Sequence, residues 1–158
     1  MTAISSSYTP ASQVLQRNIH LFEDKSVLVA GAIEDTYAIE LAKVCQSVSV
    51  FTTYYSAYLA LQDAEQITTY FDACFAPNAP LAVDAVILYL PKTKAEVEYL
   101  LANIVPQIKL GGLLYIVGDN RGGIKAIDKQ LQPYGSSTNK LDSARRCSLL
   151  ALEITQVG

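Results

Sequence analysis

Residues 84–90 read DAVILYL and are followed at once by Pro91. Six apolar side chains follow the single aspartate, which is what a strand buried on both faces looks like, and the proline stops it. Two further runs have the same character. Residues 26–30 (SVLVA) end at Gly31, and residues 113–117 (LLYIV) follow the pair Gly111-Gly112. Between the last two runs, Val97, Leu100, Leu101, Ile104, Val105 and Ile108 recur at helical spacing, with Pro106 expected to kink or end that helix and the glycine pair to close it. A buried strand, a crossover helix and a second buried strand form the unit of a parallel sheet.

Working outward, Thr9-Pro10 reads as an N-cap with proline at the first helical position, and Ala11, Val14, Leu15 and Phe22 continue an amphipathic helix. A helix is expected over residues 35–43. Residues 47–52 (SVSVFT) alternate as a second strand, residues 54–61 look helical, and residues 67–71 give a third strand. Residues 77–80 form a loop. After the 118–123 loop, Ile124, Ile127 and Leu131 mark another helix, and residues 140–154 a strand or a pair of strands. The three runs at 26–30, 84–90 and 113–117 are expected to be parallel neighbours in the middle of one doubly wound sheet with helices on both faces.

The chain has 158 residues, 51% of them hydrophobic and 17% charged, which predicts one globular domain with a substantial core. No apolar run approaches the roughly 20 residues that cross a bilayer, and the start MTAISSSYTP has neither a basic nor an apolar targeting region, so a cytoplasmic protein without membrane contact is expected. Cys45, Cys74 and Cys147 are scattered and His20 stands alone, so neither a disulfide framework nor a zinc site is indicated. The net charge of −3 is unlike that of an autonomous nucleic-acid binder. Yet Lys92, Lys94, Lys109, Arg121, Lys125, Lys129, Lys140, Arg145 and Arg146 all lie in the second half, and an anionic partner would meet that half.

Ligands of open α/β sheets sit at the carboxyl ends of the strands. At the first such turn, AGAIEDT supplies only Gly31 where a nucleotide or adenosyl cofactor needs closely spaced glycines, and Glu34 and Asp35 would repel phosphate. After the second strand, Phe51, Thr52 and Thr53 stand where a ribose-binding carboxylate is expected. Asp72 reads as a turn or cap residue, Pro91 as a strand stop, and Glu96 and Glu98 as solvated charges that do not share a helix face. The loop GDNRGG, 118–123, is either an anion cradle with Arg121 as phosphate partner or a plain turn with Asp119 or Asn120 near a helix start. Arg145 and Arg146 serve either an RNA contact or a salt bridge with Asp142, while Tyr54, Tyr55 and Tyr58 fit a packing face better than a base-stacking platform.

The segments LYLPKTKAEVEYLL (88–101), GGLLYIVGDNRGGIKAIDKQL (111–131) and NKLDSARRC (139–147), with the opening YTPASQVLQRN (8–18), resemble the N-terminal domain of bacterial 16S rRNA guanine-N2 methyltransferases, the small-subunit methyltransferase C family. The resemblance implies a Rossmann-like class I methyltransferase sandwich with a degenerate cofactor site. Residues 1–158 would be the N-terminal domain of a two-domain protein. The C-terminal catalytic domain, outside this chain, would carry the S-adenosylmethionine site and an Asn-Pro-Pro-Phe motif, of which only Pro91 has a counterpart here. No catalytic, cofactor-binding or metal-binding residue is therefore carried over. Lys92, Lys94, Arg121, Arg145 and Arg146 are the expected RNA contacts, and the catalytic domain and 16S rRNA or the 30S subunit the expected partners. The rival readings are a structural or dimerising module without RNA contact, favoured by the acidic balance, and an active methyltransferase with an atypical pocket.

Overall fold

The computed structural model describes residues 8–33, 35, 37–52, 67–71, 83–121, 124, 127–135, 138–144 and 146–154. Its elements are α1 (Pro10–Arg17), a 3-10 turn (Ile19–Phe22), β1 (Ser26–Gly31), α2 (Tyr37–Ala42), β2 (Ser47–Thr52), β3 (Ile67–Phe71), β4 (Val83–Tyr89), α3 (Lys94–Ile104), a 3-10 turn (Val105–Gln107), β5 (Ile108–Asp119), α4 (Ile127–Leu131), β6 (Asn139–Ala144) and β7 (Cys147–Glu153). The expected helix over 54–61, the 77–80 loop, Asp72, Cys74 and Arg145 lie outside the described residues.

One seven-stranded sheet has the order β3-β2-β1-β4-β5-β7-β6. Strands β1 to β5 pair in parallel, and β7 is antiparallel to both β5 and β6. The chain builds outward from β1 to β3, returns to β4 beside β1, and continues to β5, which makes the β1/β4 junction the switch point of the sheet. The three apolar runs are parallel neighbours at the centre, as the sequence predicts.

Their continuous apolarity follows from the pleat, because successive side chains serve opposite cores. Val27, Val29, Ala85, Ile87, Tyr115 and Val117 pack with α1, α2 and Phe22 on one face. Leu28, Ala30, Val86, Leu88, Leu114 and Ile116 pack with Val97, Leu100, Leu101 and Ile104 of α3 and with Ile127 and Leu131 of α4 on the other. Thr9 caps α1, its Oγ1 accepting from the Ser12 N–H at 3.4 Å, and Thr93 caps α3 in the same way from Glu96 at 3.2 Å.

Two boundaries differ from the expectation. The helix ends at the turn carrying Pro106, and β5 already begins at Ile108, so the glycine pair lies inside a strand. Gly111 has φ +86°, and the β4/β5 register jumps from Val83↔Ile108 to Ala85↔Leu113. A Cβ on Gly112 would lie 2.9 Å from the Lys109 carbonyl oxygen and 3.0 Å from that of Asp84. The glycines form a bulge that lets a long strand bend past β4. Residues 140–154 resolve into the hairpin β6–β7.

The amino-terminal edge of the central strands is stapled by Asp84. Its carboxylate pairs with Lys109 and accepts from the Ser26 N–H at 3.0 Å and Ser26 Oγ at 3.2 Å, while the Asp84 N–H donates back to Ser26 Oγ at 2.9 Å. The Lys109 ammonium, followed by the Ser26 N–H, lowers the Asp84 pKa from 3.8 to about 2. A carboxyl whose pKa is depressed on folding stabilises the fold above its ordinary pKa and loses that contribution as pH falls toward the folded value. Asp84→Asn should therefore lower the unfolding midpoint at neutral pH and flatten the acid-unfolding curve between about pH 4 and about pH 2. An unchanged acid limb, followed by circular dichroism, would contradict the staple.

Candidate functional site

The carboxyl edge of the sheet contains two unlike regions. At the end of β1 the chain fills space with its own polar groups. Asp35 Oδ2 accepts from the Thr9 N–H (2.9 Å) and Thr9 Oγ1 (3.0 Å), and Asp35 Oδ1 accepts from Ser12 Oγ (3.1 Å) and the Tyr37 N–H (3.1 Å). Ser12 Oγ also lies 2.6 Å from the Tyr89 hydroxyl. Since the carboxylate can only accept, the Ser12 proton points to Asp35 and Tyr89 donates to Ser12. Burial, reinforced by the Asp35 charge, raises the Tyr89 pKa well above its ordinary 10, so the phenol stays a neutral donor. The four bonds to Asp35 join the start of α1 to the start of α2 across the turn that follows β1.

Gly31 belongs to the same closure. Its φ is +101°, and a Cβ there would lie 2.2 Å from the Tyr89 carbonyl oxygen, which itself accepts from the Ala32 N–H at 2.9 Å. This glycine is needed for the approach of β1 to β4. At the end of β2, Phe51 and Thr52 are fully buried and neither carries a carboxylate, and Thr53 lies outside the described residues.

At the ends of β4 and β5 and the start of β7 the edge is cationic. Tyr89 pairs with Val117 in parallel and Asp119 with Cys147 in antiparallel, so the segments after β4, after β5 and before β7 emerge together. This brings Lys92, Lys94, Arg121 and Arg146 to one edge, all four exposed; Arg145 lies outside the described residues. The Asn120 N–H donates to the Arg146 carbonyl oxygen at 2.7 Å, and Ser148 Oγ donates to Asn120 Oδ1, tying the two turns to each other. Asp119 Oδ1 accepts from the Arg121 N–H at 2.8 Å, the geometry of a plain turn, with the exposed Arg121 Nε 3.7 Å from the same oxygen. Such an exposed pair holds the guanidinium only weakly.

Asp142 has partners on the segment that ends α1. Its carboxylate accepts from Asn18 Nδ2 at 2.9 Å and pairs with Arg17 Nε at 3.3 Å, and these contacts, Asn18 first, lower its pKa. Among the described carboxylates none pairs with Arg146. Arg146 also has φ +70°, a conformation in which glycine or asparagine costs less than arginine.

A cleft of about 410 Å³ opens beside this edge, lined by Leu90, Pro91, Lys92, Thr93, Lys94, Val97, Lys129 and Gln130. Lys129 was not singled out as a site residue by the sequence, because it lies on α4, more than thirty positions after Lys94. It is brought there by α4, whose Gln130 Nε2 donates to the Lys94 carbonyl oxygen at 3.3 Å. Lys109, by contrast, is spent at the opposite edge on Asp84. Among the described residues no cluster of histidine, cysteine, aspartate or glutamate is placed to hold a metal ion, and no helix is long and apolar enough to cross a membrane.

Residues 12–157 match the family described as methyltransferase small domain N-terminal. The chain belongs to that family. Its relatives include ribosomal RNA small subunit methyltransferase C of Vibrio vulnificus, 47% identical over 143 residues, covering 90% of this chain and 41% of the relative. The protein of the same name from Aeromonas hydrophila is 45% identical over 153 residues, covering 97% of this chain and 44% of the relative. The chain thus spans well under half the length of the curated relatives it matches. In fold, this N-terminal methyltransferase domain is similar to a T. thermophilus 16S rRNA N2 methyltransferase solved with AdoMet and guanosine, with TM-score 0.73, 20% identity and coverage of 95% of this chain and 40% of that one. The DhpI–SAH complex matches with TM-score 0.68 at 11% identity, over 92% of this chain and 83% of that one. The architecture is that of the Rossmann-like S-adenosylmethionine-dependent methyltransferases.

Removing the carboxylate at the β1 turn leaves several donors without an acceptor. Asp35→Ala should cost about 2–3 kcal/mol of unfolding free energy, with Asp35→Asn costing less because one acceptor oxygen remains. A loss below about 0.5 kcal/mol in denaturant unfolding would show that the network is not what holds α1 in place.

Proposed function

We propose that this chain is the non-catalytic N-terminal domain of a cytoplasmic S-adenosylmethionine-dependent 16S rRNA guanine-N2 methyltransferase, that it braces a C-terminal catalytic domain, and that its cationic edge helps to hold the rRNA of the 30S subunit. The observation that carries the reading is the division of the carboxyl edge. The end of β1 is used to fasten the chain's own helix, while the ends of β4 and β5 and the start of β7 carry basic side chains with few partners among the described residues.

The residues around β1 do not fit an adenosyl group. Gly31 is packed against Tyr89, Asp35 is committed to four donors, and the buried end of β2 offers neither Phe51 nor Thr52 as a ribose acceptor. No step of methyl transfer is therefore assigned to these residues. In the parent protein S-adenosylmethionine would supply the methyl group, and holding the acceptor in line would supply much of the rate. Cations that grip the RNA backbone beside the catalytic domain would contribute to that orientation without reading sequence. The strained Arg146 supports a role beyond stability, since an unfavourable backbone conformation held by a charged side chain is typical of functional positions.

Replacing Lys92, Lys94, Arg121, Arg145 and Arg146 by alanine in the full-length protein should weaken rRNA binding and reduce the salt dependence of log K by about one unit of slope per lost phosphate contact, with cofactor affinity unchanged. In this series Arg146→Gly should also stabilise the fold by roughly 0.5–1 kcal/mol while weakening RNA binding. Unchanged RNA affinity and salt slope in the folded five-residue variant would return these side chains to ordinary surface charge and favour a purely structural module.

A further inference from the structure

The cleft beside β4 is built unlike the rest of the cationic edge. Its floor is apolar, with Pro91 and Val97 buried and Leu90 half-buried, and its rim carries the three exposed ammonium groups of Lys92, Lys94 and Lys129. These lysines come from two separate segments, the β4–α3 connection with the first residue of α3, and α4, which the Gln130–Lys94 hydrogen bond holds together. Among the described residues no carboxylate pairs with any of the three. Glu96, two positions after Lys94, accepts from Thr93 Oγ1 at 3.1 Å, so the start of α3 is already satisfied by its own cap and is not itself an anion site.

We propose that this cleft receives one unstacked nucleotide of single-stranded RNA, with its phosphate among Lys92, Lys94 and Lys129 and its base against Leu90, Pro91 and Val97. The proposal rests on the RNA reading above and makes it specific. A volume of about 410 Å³ is in the range of sites that enclose a small ligand. Three positive charges beside an apolar floor match a group that is anionic at one end and flat and weakly polar at the other. A bare phosphate would leave the floor uncovered, and a duplex keeps its bases stacked and out of such a recess. Lysines suit the task because point charges on flexible stems accept phosphate in several orientations. Gln130 gives its amide N–H to Lys94, and its Oε1 remains an acceptor for a base N–H. Lys129 thereby becomes an RNA-binding residue alongside Lys92 and Lys94.

The test is photo-crosslinking of the protein to an unstructured RNA oligonucleotide containing 4-thiouridine, with adducts mapped by mass spectrometry and affinity measured in parallel. Adducts are expected on the peptides spanning residues 90–97 and 127–131. Lys129→Glu should weaken single-strand binding by about tenfold, the scale of losing one charge-assisted contact, and deplete those adducts. Lys129→Gln should give a smaller loss of the same sign, and a duplex of the same length should compete poorly. Adducts confined to the turns at 119–121 and 144–147, with both Lys129 variants binding normally, would overturn the cleft while leaving the RNA reading intact. Absence of both adducts and salt-dependent binding would remove the two together.

Discussion

The Asp35 carboxylate is the joint on which the arrangement of the carboxyl edge depends. It gathers the cap of α1, the hydroxyl of Ser12, the first amide of α2 and, through Ser12, the phenol of Tyr89 at the end of β4. A carboxylate accepts several hydrogen bonds at once, and with charge assistance each is stronger than a neutral one. The consequence reaches beyond α1. The start of α1 is fastened to the turn that follows β1, and Gly31 is needed there to let Tyr89 approach.

The two edges of the sheet use like residues in opposite ways. At the amino-terminal edge Lys109 is neutralised by Asp84, which also braces β1 through Ser26. At the carboxyl edge Lys92, Lys94 and Lys129 surround a cleft without a described acidic partner, and Arg121 is paired with an exposed, loosely held aspartate. A net charge of −3 therefore conceals a local positive field. What an anion meets is the distribution of charge over a surface, which the sum does not report.

The sheet was legible in the sequence because burial on both faces leaves an unbroken apolar run, as in residues 84–90, and because Thr9-Pro10 and Pro106 are strong punctuation. The Gly111-Gly112 pair was misread because glycines end helices and bulge strands with equal ease, and only the register against β4 distinguishes the two. At the candidate site, the ends of β4 and β5 follow from strand order alone, which is why the sequence places Lys92, Lys94 and Arg121 at one edge. Lys129 depends on how α4 docks against the β4–α3 connection, and no local pattern encodes that. Asp35 was read as a charge that would repel phosphate, whereas its role as an acceptor for α1 rests on contacts made across more than twenty positions of sequence. Asp142 likewise pairs with Arg17, which is remote in sequence.

The central claim is that the end of β1 is a structural joint and not a cofactor site. Calorimetric titration of the folded chain with S-adenosylmethionine tests it most directly. The account predicts no saturable heat at concentrations well above those that fill a functional methyltransferase site. Saturable one-to-one binding at micromolar concentration, lost on substitution of Gly31 or Asp35 in a protein that stays folded, would contradict it.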